Sequence, residues 1–527
     1  MPERFIGKLQ KTIAGGAIII GSASVLSRIL GLLRDRLLSA TIGPGELLDS
    51  YFTAFKIPDF IFNIFVLGLL SAAFVPVFIE FKKNKGEQEA MKIANSVLNL
   101  ALLSLIGFAV LCFIFAPWIV SLIAFGDTAA QQETTVLFTR LMLASLVLLG
   151  VSNVLSGVLH AYKKFFVYAM APILYNVGII IGILVLKPMI GDIGLALGVV
   201  LGAALHFLIL LPGAMRAGFR YAPIMQLRNA GVRQIIKLMP PRAFALGLTQ
   251  LNIIIIFAIA STMDEGTRSI WQFADNLQHF PINIFGVSLA LAAFPVFSEA
   301  FAKKDINAFK KLFSESFRRI LFFIIPISIA TLLLRAQIVR LVYGSGEFDW
   351  TDTILTAQTL GMFALSMFAQ AAIPLLARSF FAKQDTKTPV VISSIAMALN
   401  IVLALSLAGS MGVTGLALAF SIAALFQMVA LLATLRVRHG DLDDELLISS
   451  TWKIIIASLG MGLVIQGAKY IVAPMVDMQT FKGILIQSLA AILAGGVTYI
   501  LIAAQFRFKE AYTIRDKAIS MWRQITG

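Results

Sequence analysis

The sequence predicts an all-α integral membrane protein with about fourteen transmembrane helices. They form two six-helix lobes around a central cavity, followed by two extra C-terminal helices. Three observations predict this. Residues of the AVILMFWYC class make up 59% of the 527 and charged residues 13%, with a mean hydropathy of +0.89; soluble domains carry about 25% charged residues. Apolar stretches of about 20 residues, enough to cross about 30 Å of hydrocarbon, recur along the whole chain. A motif at the end of one stretch returns six stretches later.

The first six spans are expected near 13–41, 49–79, 93–120, 136–160, 166–186 and 193–214. Six more follow near 236–261, 270–300, 316–340, 353–381, 389–408 and 412–435. A last pair lies near 452–474 and 482–505. Strand-type alternation is absent, and helices satisfy their backbone without water. The first apolar stretch is interrupted by Arg28 and has no small-residue cleavage site, so it is not a cleavable signal. The single Cys112 has nothing to pair with, and four histidines supply a metal centre poorly.

The charges set the expected orientation. Lys82, Lys83 and Lys85, then Lys163 and Lys164, then Arg216 to Lys237, Lys303 to Arg319, Lys383 and Lys387, and Arg436 and Arg438 fall in alternate loops. The intervening loops carry Glu46 and Asp49, Asp127 and Glu133, Asp192, Asp264 and Glu265, and Glu347 to Asp352. Basic loops stay cytoplasmic, so both termini, which are basic too, are expected inside. The net charge of +15 is therefore a topology signal, and nucleic acid is not an expected partner.

The repeated motif is Leu70-Ser71-Ala72-Ala73-Phe74-Val75-Pro76-Val77-Phe78-Ile79-Glu80 against Leu291-Ala292-Ala293-Phe294-Pro295-Val296-Phe297-Ser298-Glu299. Ile57-Pro58 and Phe280-Pro281 correspond upstream. A step of six spans keeps both copies in one orientation, as in a parallel repeat of two transporter lobes. The expected divisions are 1–216 and 217–438 for the lobes and 439–527 for the extra pair and a basic tail.

An ionisable residue at mid-membrane costs about 2.5–3.5 kcal/mol and normally faces a polar cavity. Arg28 stands about fifteen residues, or about 22 Å, into the first span. Arg28 and Asp35 share a helix face about 10 Å apart, with Gly31 between them as a place to bend. Arg34 and Arg36 either line the cavity or snorkel to its edge. Lys56, after Asp49 in span two, either lines the cavity or pairs with Asp35. Asp275 in span eight is a candidate counter-ion for an arginine of span one; His279 reads as packed or interfacial. Asn252 and Asn400 are candidates, by depth alone, for a coupling cation. Tyr343 to Phe348 reads as a turn, and Thr388-Pro389 as the N-cap and first residue of span eleven. No catalytic triad or carboxylate pair stands out.

The run Ser27-Arg28-Ile29-Leu30-Gly31-Leu32-Leu33-Arg34-Asp35 resembles the opening signature of the MurJ (MviN) family. Asp49 to Pro58, Ala72-Ala73-Phe74-Val75-Pro76, and Phe273-Ala274-Asp275 followed by Phe280-Pro281 are similar to further signatures. So is Phe380-Phe381-Ala382-Lys383-Gln384-Asp385-Thr386-Lys387-Thr388-Pro389-Val390. The resemblance covers essentially the whole chain. It implies a lipid II flippase of the multidrug/oligosaccharidyl-lipid/polysaccharide exporter superfamily, in the bacterial inner membrane, serving cell wall synthesis and cell shape. It also implies cavity arginines on the undecaprenyl-pyrophosphate headgroup and a tail groove formed by the last two spans. Arg28, Arg34, Asp35, Asp49 and Lys56 match the family's functional positions.

Two sites depart from the pattern. Where the family usually has Arg-Arg-Ile-Phe and then Ala-Glu-Gly, this chain has Phe62-Asn63-Ile64-Phe65 and then Val66-Leu67-Gly68; the usual arginine of span eight is Asn276. Asn63 and Asn276 still donate hydrogen bonds but carry no charge. The headgroup is therefore expected at Arg28, Arg34, Lys56, Asn63 and Asn276, with Asp35, Asp49 and Asp275 as the cavity charge network. No cofactor is expected, a coupling cation is left unidentified, and membrane lipids and cell-wall synthesis proteins are the other candidate partners. The competing readings are a flippase for another lipid-linked polysaccharide, a cation-coupled drug exporter, and a non-transporting scaffold for cell-wall enzymes.

Overall fold

The computed structural model describes residues 13–67, 74–506 and Phe508; the side chains of 13–20, Leu67 and 238–245 lie outside that set. Leu70 to Ala73 of the repeated motif and most of the basic tail also lie outside it. Every described element is helical. In chain order they are α1 (Ile13–Thr41), α2 (Glu46–Ala54), α3 (Lys56–Ile61), α4 (Val75–Lys85), α5 (Glu87–Ile123), α6 (Ala129–Ala161), α7 (Phe165–Ile181), α8 (Lys187–Ile190) and α9 (Ile193–Arg216). There follow α10 (Ala230–Ala260), α11 (Thr267–Pro281), α12 (Ser288–Ala302), α13 (Ile306–Val342), α14 (Trp350–Ala364), α15 (Met367–Ala382), α16 (Lys387–His439), α17 (Asp444–Val472) and α18 (Phe481–Gln505).

By length and apolarity, nine described helices can cross a membrane, or ten if the bent pair α14 and α15 is one span. This is fewer than the expected fourteen, for local reasons. The segment holding the second expected span is cut into short pieces, and α1 carries Arg28, Arg34, Asp35 and Arg36. In α10 the described apolar stretch is only Leu246–Ala260. The eleventh and twelfth spans run together as α16, 53 residues broken at Gly412 with φ 58°. That left-handed conformation suits glycine and falls at the expected span boundary.

The chain divides into two compact units, residues 1–269 with 345–348, and 270–344 with 349–527. Each has its own apolar core. Phe74, Phe78, Val97 and Leu155 are among the core residues of the first. Phe309, Phe313, Leu375 and Met461 are among those of the second, which takes in α17 and α18; Tyr499 Oη donates to Phe322 O at 2.7 Å. The outward faces are apolar instead of polar, with Phe113, Trp118 and Leu463 more than half exposed, as lipid contact requires. The chain is a multi-pass membrane protein.

Both units contain the same irregularity. A π-helix over Phe62–Leu67 interrupts the second expected span, and one over Ile282–Val287 interrupts the eighth, 220 residues later. Each follows a proline, Pro58 or Pro281, whose missing N–H and fixed φ disturb the regular ladder. A third π-helix covers Gly182–Leu186. There α7 and α9 pack backbone to backbone: a Cβ on Gly198 would stand 2.5 Å from Gly182 Cα.

The start of α16 differs from expectation. Thr386 is the N-cap, and Thr388 lies inside the first turn. Asp385 instead accepts the Thr388 amide at 3.1 Å and its hydroxyl at 2.7 Å, and pairs with Arg438. A carboxylate can accept several donors at once, so it takes the capping role from a hydroxyl. Pro389 still falls in the first turn, where no intrahelical N–H bond is lost. Tyr343 to Phe348 is the expected turn, and Glu347 N donates to Ala40 O at 3.0 Å in the first unit.

Partial burial opposes the charge of Asp385, but the Thr388 donors and the Arg438 guanidinium outweigh it and hold the carboxyl down to about 2. A carboxyl lowered by folding stabilises the fold when ionised. That contribution is complete above about pH 4 and is lost as pH falls toward about 2. Thermal melting in detergent should therefore show wild type losing more stability than Asp385→Asn between pH 6 and pH 3; parallel losses would remove this account.

Candidate functional site

In the first unit, α1 presents its charges in two ways. Arg34 donates through Nε and Nη2 to Asp35 Oδ1 at 2.9 and 2.7 Å and through Nη1 to Asn176 Oδ1 at 3.3 Å. Asn176, on α7, in turn donates to Ser27 O and Oγ at 3.4 Å. Arg34 is thus a held cation, one quarter exposed beside a buried carboxylate. Arg28 is half-buried and makes no hydrogen bond or ion pair among the described residues. It is a guanidinium with donors to spare.

Lys56, on α3, is buried with Nζ 3.7 Å above the centre of the Phe257 ring, a cation–π contact on α10. Asn63, in the π-helix, donates through Nδ2 to Asp59 O at 2.8 Å. In the second unit, Asn276 accepts from Gln272 Nε2 at 3.0 Å. Asp275 accepts from Gln278 Nε2 at 2.9 Å and lies 3.2 Å from His279 Nδ1. Gln278 accepts from Gln370, which also donates to Ser366 at the bend between α14 and α15. Asn63 and Asn276, where the resemblance leads one to expect arginines, are thus each joined to their own helix.

Asp49 belongs to a different set of contacts. It is buried and accepts Ser269 N at 2.8 Å, Ser269 Oγ at 2.5 Å and Gly266 N at 3.0 Å. Arg268 Nε stands 3.5 Å from the same carboxylate, and Arg268 Nη2 donates to Asp127 at 2.7 and 2.9 Å. One guanidinium, 1% exposed, therefore holds two carboxylates and ties three segments together. The sequence reading passed over Arg268. Its signal was a lone arginine in an otherwise acidic loop, against the charge bias of that side. Asp59, a carboxyl one turn past Lys56, was also passed over.

The second unit carries an apolar groove of about 750 Å3, lined by Phe317, Leu321, Phe368, Met428, Leu432 and Trp452, with Arg436 and Asp444 among its polar members. The family resemblance implied a groove made by the last two spans. Of those, α17 lines this one and α18 does not; α13, α14, α15 and α16 supply most of the remainder, with Leu365 and Leu442 from between helices. Among the described residues, no group of three His, Cys, Asp or Glu is placed to hold a metal ion.

Removing one member of a buried ion cluster strands its partners and costs about 3–5 kcal/mol. Arg268→Ala should lose about that much stability, measured by denaturant unfolding in detergent, and Arg268→Lys should recover only part. An alanine variant as stable as wild type would show that the two carboxylates are solvated instead.

A family model described as lipid II flippase MurJ matches residues 38–490. A relative from Burkholderia cenocepacia named lipid II flippase MurJ is 30% identical over 437 residues, covering 80% of this chain and 83% of that protein. One from Thermotoga maritima, named probable lipid II flippase MurJ, is 29% identical over 507 residues, covering 96% and 98%. Among solved structures, lipid II flippase MurJ in an inward closed conformation aligns with a TM-score of 0.76 at 24% identity, over 93% of this chain and all of that one. An inward-facing MATE multidrug transporter of the MOP superfamily aligns at 0.66 and 15% identity, over 81% of this chain and 99% of that one. The two alignments show a shared transporter fold, and the family match and sequence relatives place the chain within it: it belongs to the MurJ family of lipid II flippases.

Proposed function

We propose that this chain carries lipid II, the undecaprenyl-pyrophosphate-linked peptidoglycan precursor, from the inner to the outer leaflet of the bacterial cell membrane. The observation that carries the reading is Arg28: a half-buried guanidinium with no partner among the described residues, on a helix whose other described charges include a held Arg34–Asp35 pair. Such a cation suits a pyrophosphate, which accepts the forked donors of arginine. Lys56 adds charge nearby in sequence, and Asn63 and Asn276 supply neutral donors. The apolar groove of the second unit suits a polyprenyl tail, which needs area and no polar partner.

The proposed orientation puts the basic loops and both termini in the cytoplasm. The lobes would alternate access around the headgroup, with residues 1–216 and 217–438 as the moving halves and 439–527 as an appended pair. An anionic headgroup moving outward from a negative interior gains about 2.3 kcal/mol per charge per 100 mV, so the potential alone can drive transport. Cell-wall synthesis enzymes are the natural consumers of the product.

Native mass spectrometry with lipid II tests the site. A charge-assisted bond is worth about 1.5–3 kcal/mol, so Arg28→Ala should weaken binding roughly 10- to 100-fold. Arg34→Ala should weaken it as well, by freeing Asp35 to repel the headgroup. Binding that survives both substitutions would place the pyrophosphate elsewhere, and binding of another undecaprenyl-linked saccharide in place of lipid II would change the substrate. In proteoliposomes, collapsing the potential with valinomycin should slow flipping severalfold; an unchanged rate would require another driver.

A further inference from the structure

One polar chamber of the first unit takes no part in the contacts described so far. It has a volume of about 250 Å3 and is lined by Asp59, Tyr175 and His206, with Ser145 and Asn153 and an otherwise apolar wall. Ser145 and Asn153 already donate to their own helix, to Met142 O and Leu149 O. The other three have capacity left. His206 Nδ1 is buried with no hydrogen-bond partner. Neither the Asp59 carboxylate nor the Tyr175 hydroxyl makes a hydrogen bond or ion pair among the described residues.

The surroundings do not neutralise Asp59 by contact. The charged or titratable groups around it are Lys56 on its own helix, Arg34 and Asp35 on α1, Tyr51 on α2, Tyr175 on α7 and His206 on α9. Arg34 is tied to Asp35 and Asn176, and the Lys56 ammonium lies over Phe257. The polar residues that α6 turns to the chamber are Ser145 and Asn153, neither of them charged. A carboxylate without a contact partner in a mostly apolar chamber is costly and marks a functional position.

We infer that Asp59, with His206 and Tyr175 beside it, is a proton-binding site that couples proton entry to outward lipid transport. This deepens the proposed function and rests on it for the coupled substrate. An acid, an imidazole and a phenol around a space large enough for several waters form a proton-carrying set. Asp59 is the one carboxylate among the described lining residues; Ser145 Oγ and Asn153 Oδ1 also remain as acceptors, so an alkali ion is the alternative that sodium replacement tests. The site is also coupled to irregular helix. Asp59 O accepts Asn63 Nδ2 from the π-helix that follows it, and Tyr175 lies two turns before the π-helix of Gly182–Leu186. Charging or discharging Asp59 changes the cost of keeping this chamber closed, next to the segments that deviate from regular helix.

Two measurements on the full chain in proteoliposomes test the site. With the potential clamped at zero, a one-unit pH gradient, alkaline on the side from which lipid II departs, should speed wild-type flipping, by at most about tenfold for one proton. Asp59→Asn should not respond to the gradient. Replacing sodium by choline at fixed pH should change neither; a rate that follows sodium overturns the proton assignment. The second measurement needs no substrate. Infrared difference spectra between pH 5 and pH 8 should contain a protonated-carboxyl band that is lost in Asp59→Asn and shifted in His206→Phe, and its absence from wild type overturns the proposal. If the band titrates but lipid II neither binds nor flips, the substrate reading falls and the proton site stands. If lipid II flips with no gradient response and no such band, the reverse holds.

Discussion

A charge inside an apolar layer must be paired, spread over a ring or given a polar space, because leaving it bare costs several times the thermal energy. The first unit uses each of these solutions. Arg34 is paired with Asp35 and braced by Asn176. Lys56 rests on the Phe257 face. Arg268 is shared between Asp49 and Asp127. Asp59 looks into a chamber, and Arg28 is left with its donors unspent. The positions of α1, α2, α3 and the start of α11 follow from satisfying these groups; apolar packing then fills the space between them.

Departures from regular helix recur in both units. The π-helices at Phe62–Leu67 and Ile282–Val287 lie at matching places of a repeated segment. The second unit adds a 46° bend between α14 and α15 and a break at Gly412. A π-segment frees a backbone carbonyl or shifts a side chain by a fraction of a turn at little cost. In the first unit that freedom sits next to Asp59, because Asn63 bonds to its carbonyl.

The exchange of arginines for Asn63 and Asn276 has a local consequence in each unit. An arginine in either place would need a counter-charge or the substrate. The asparagines are instead satisfied within their own helices, through Asp59 O and Gln272. Arg28 on α1, by contrast, keeps a charged group without a partner among the described residues.

Much was determined by the sequence alone. Helical spans, their order, the charge bias of alternate loops and the repeat all follow from quantities that run along one dimension: apolar length, spacing and sign of charge. Arg28 and Lys56 were legible as unusual residues because charges in apolar text have few innocent explanations, and Asn63 because it departs from the pattern that the resemblance implies. Tertiary structure alone decided which charges meet. Asp49 and Ser269 are 220 residues apart, and Arg268 and Asp127 are 141 apart; no local pattern joins them. The same holds for the chamber, whose Asp59, Tyr175 and His206 come from three helices. The apolar groove of the second unit is a further case, since α17 meets α13, α14, α15 and α16 around it. Local periodicity says which face of a helix is apolar. Only the packing of all helices at once says which neighbour that face meets, and the energy of a buried charge depends on that neighbour.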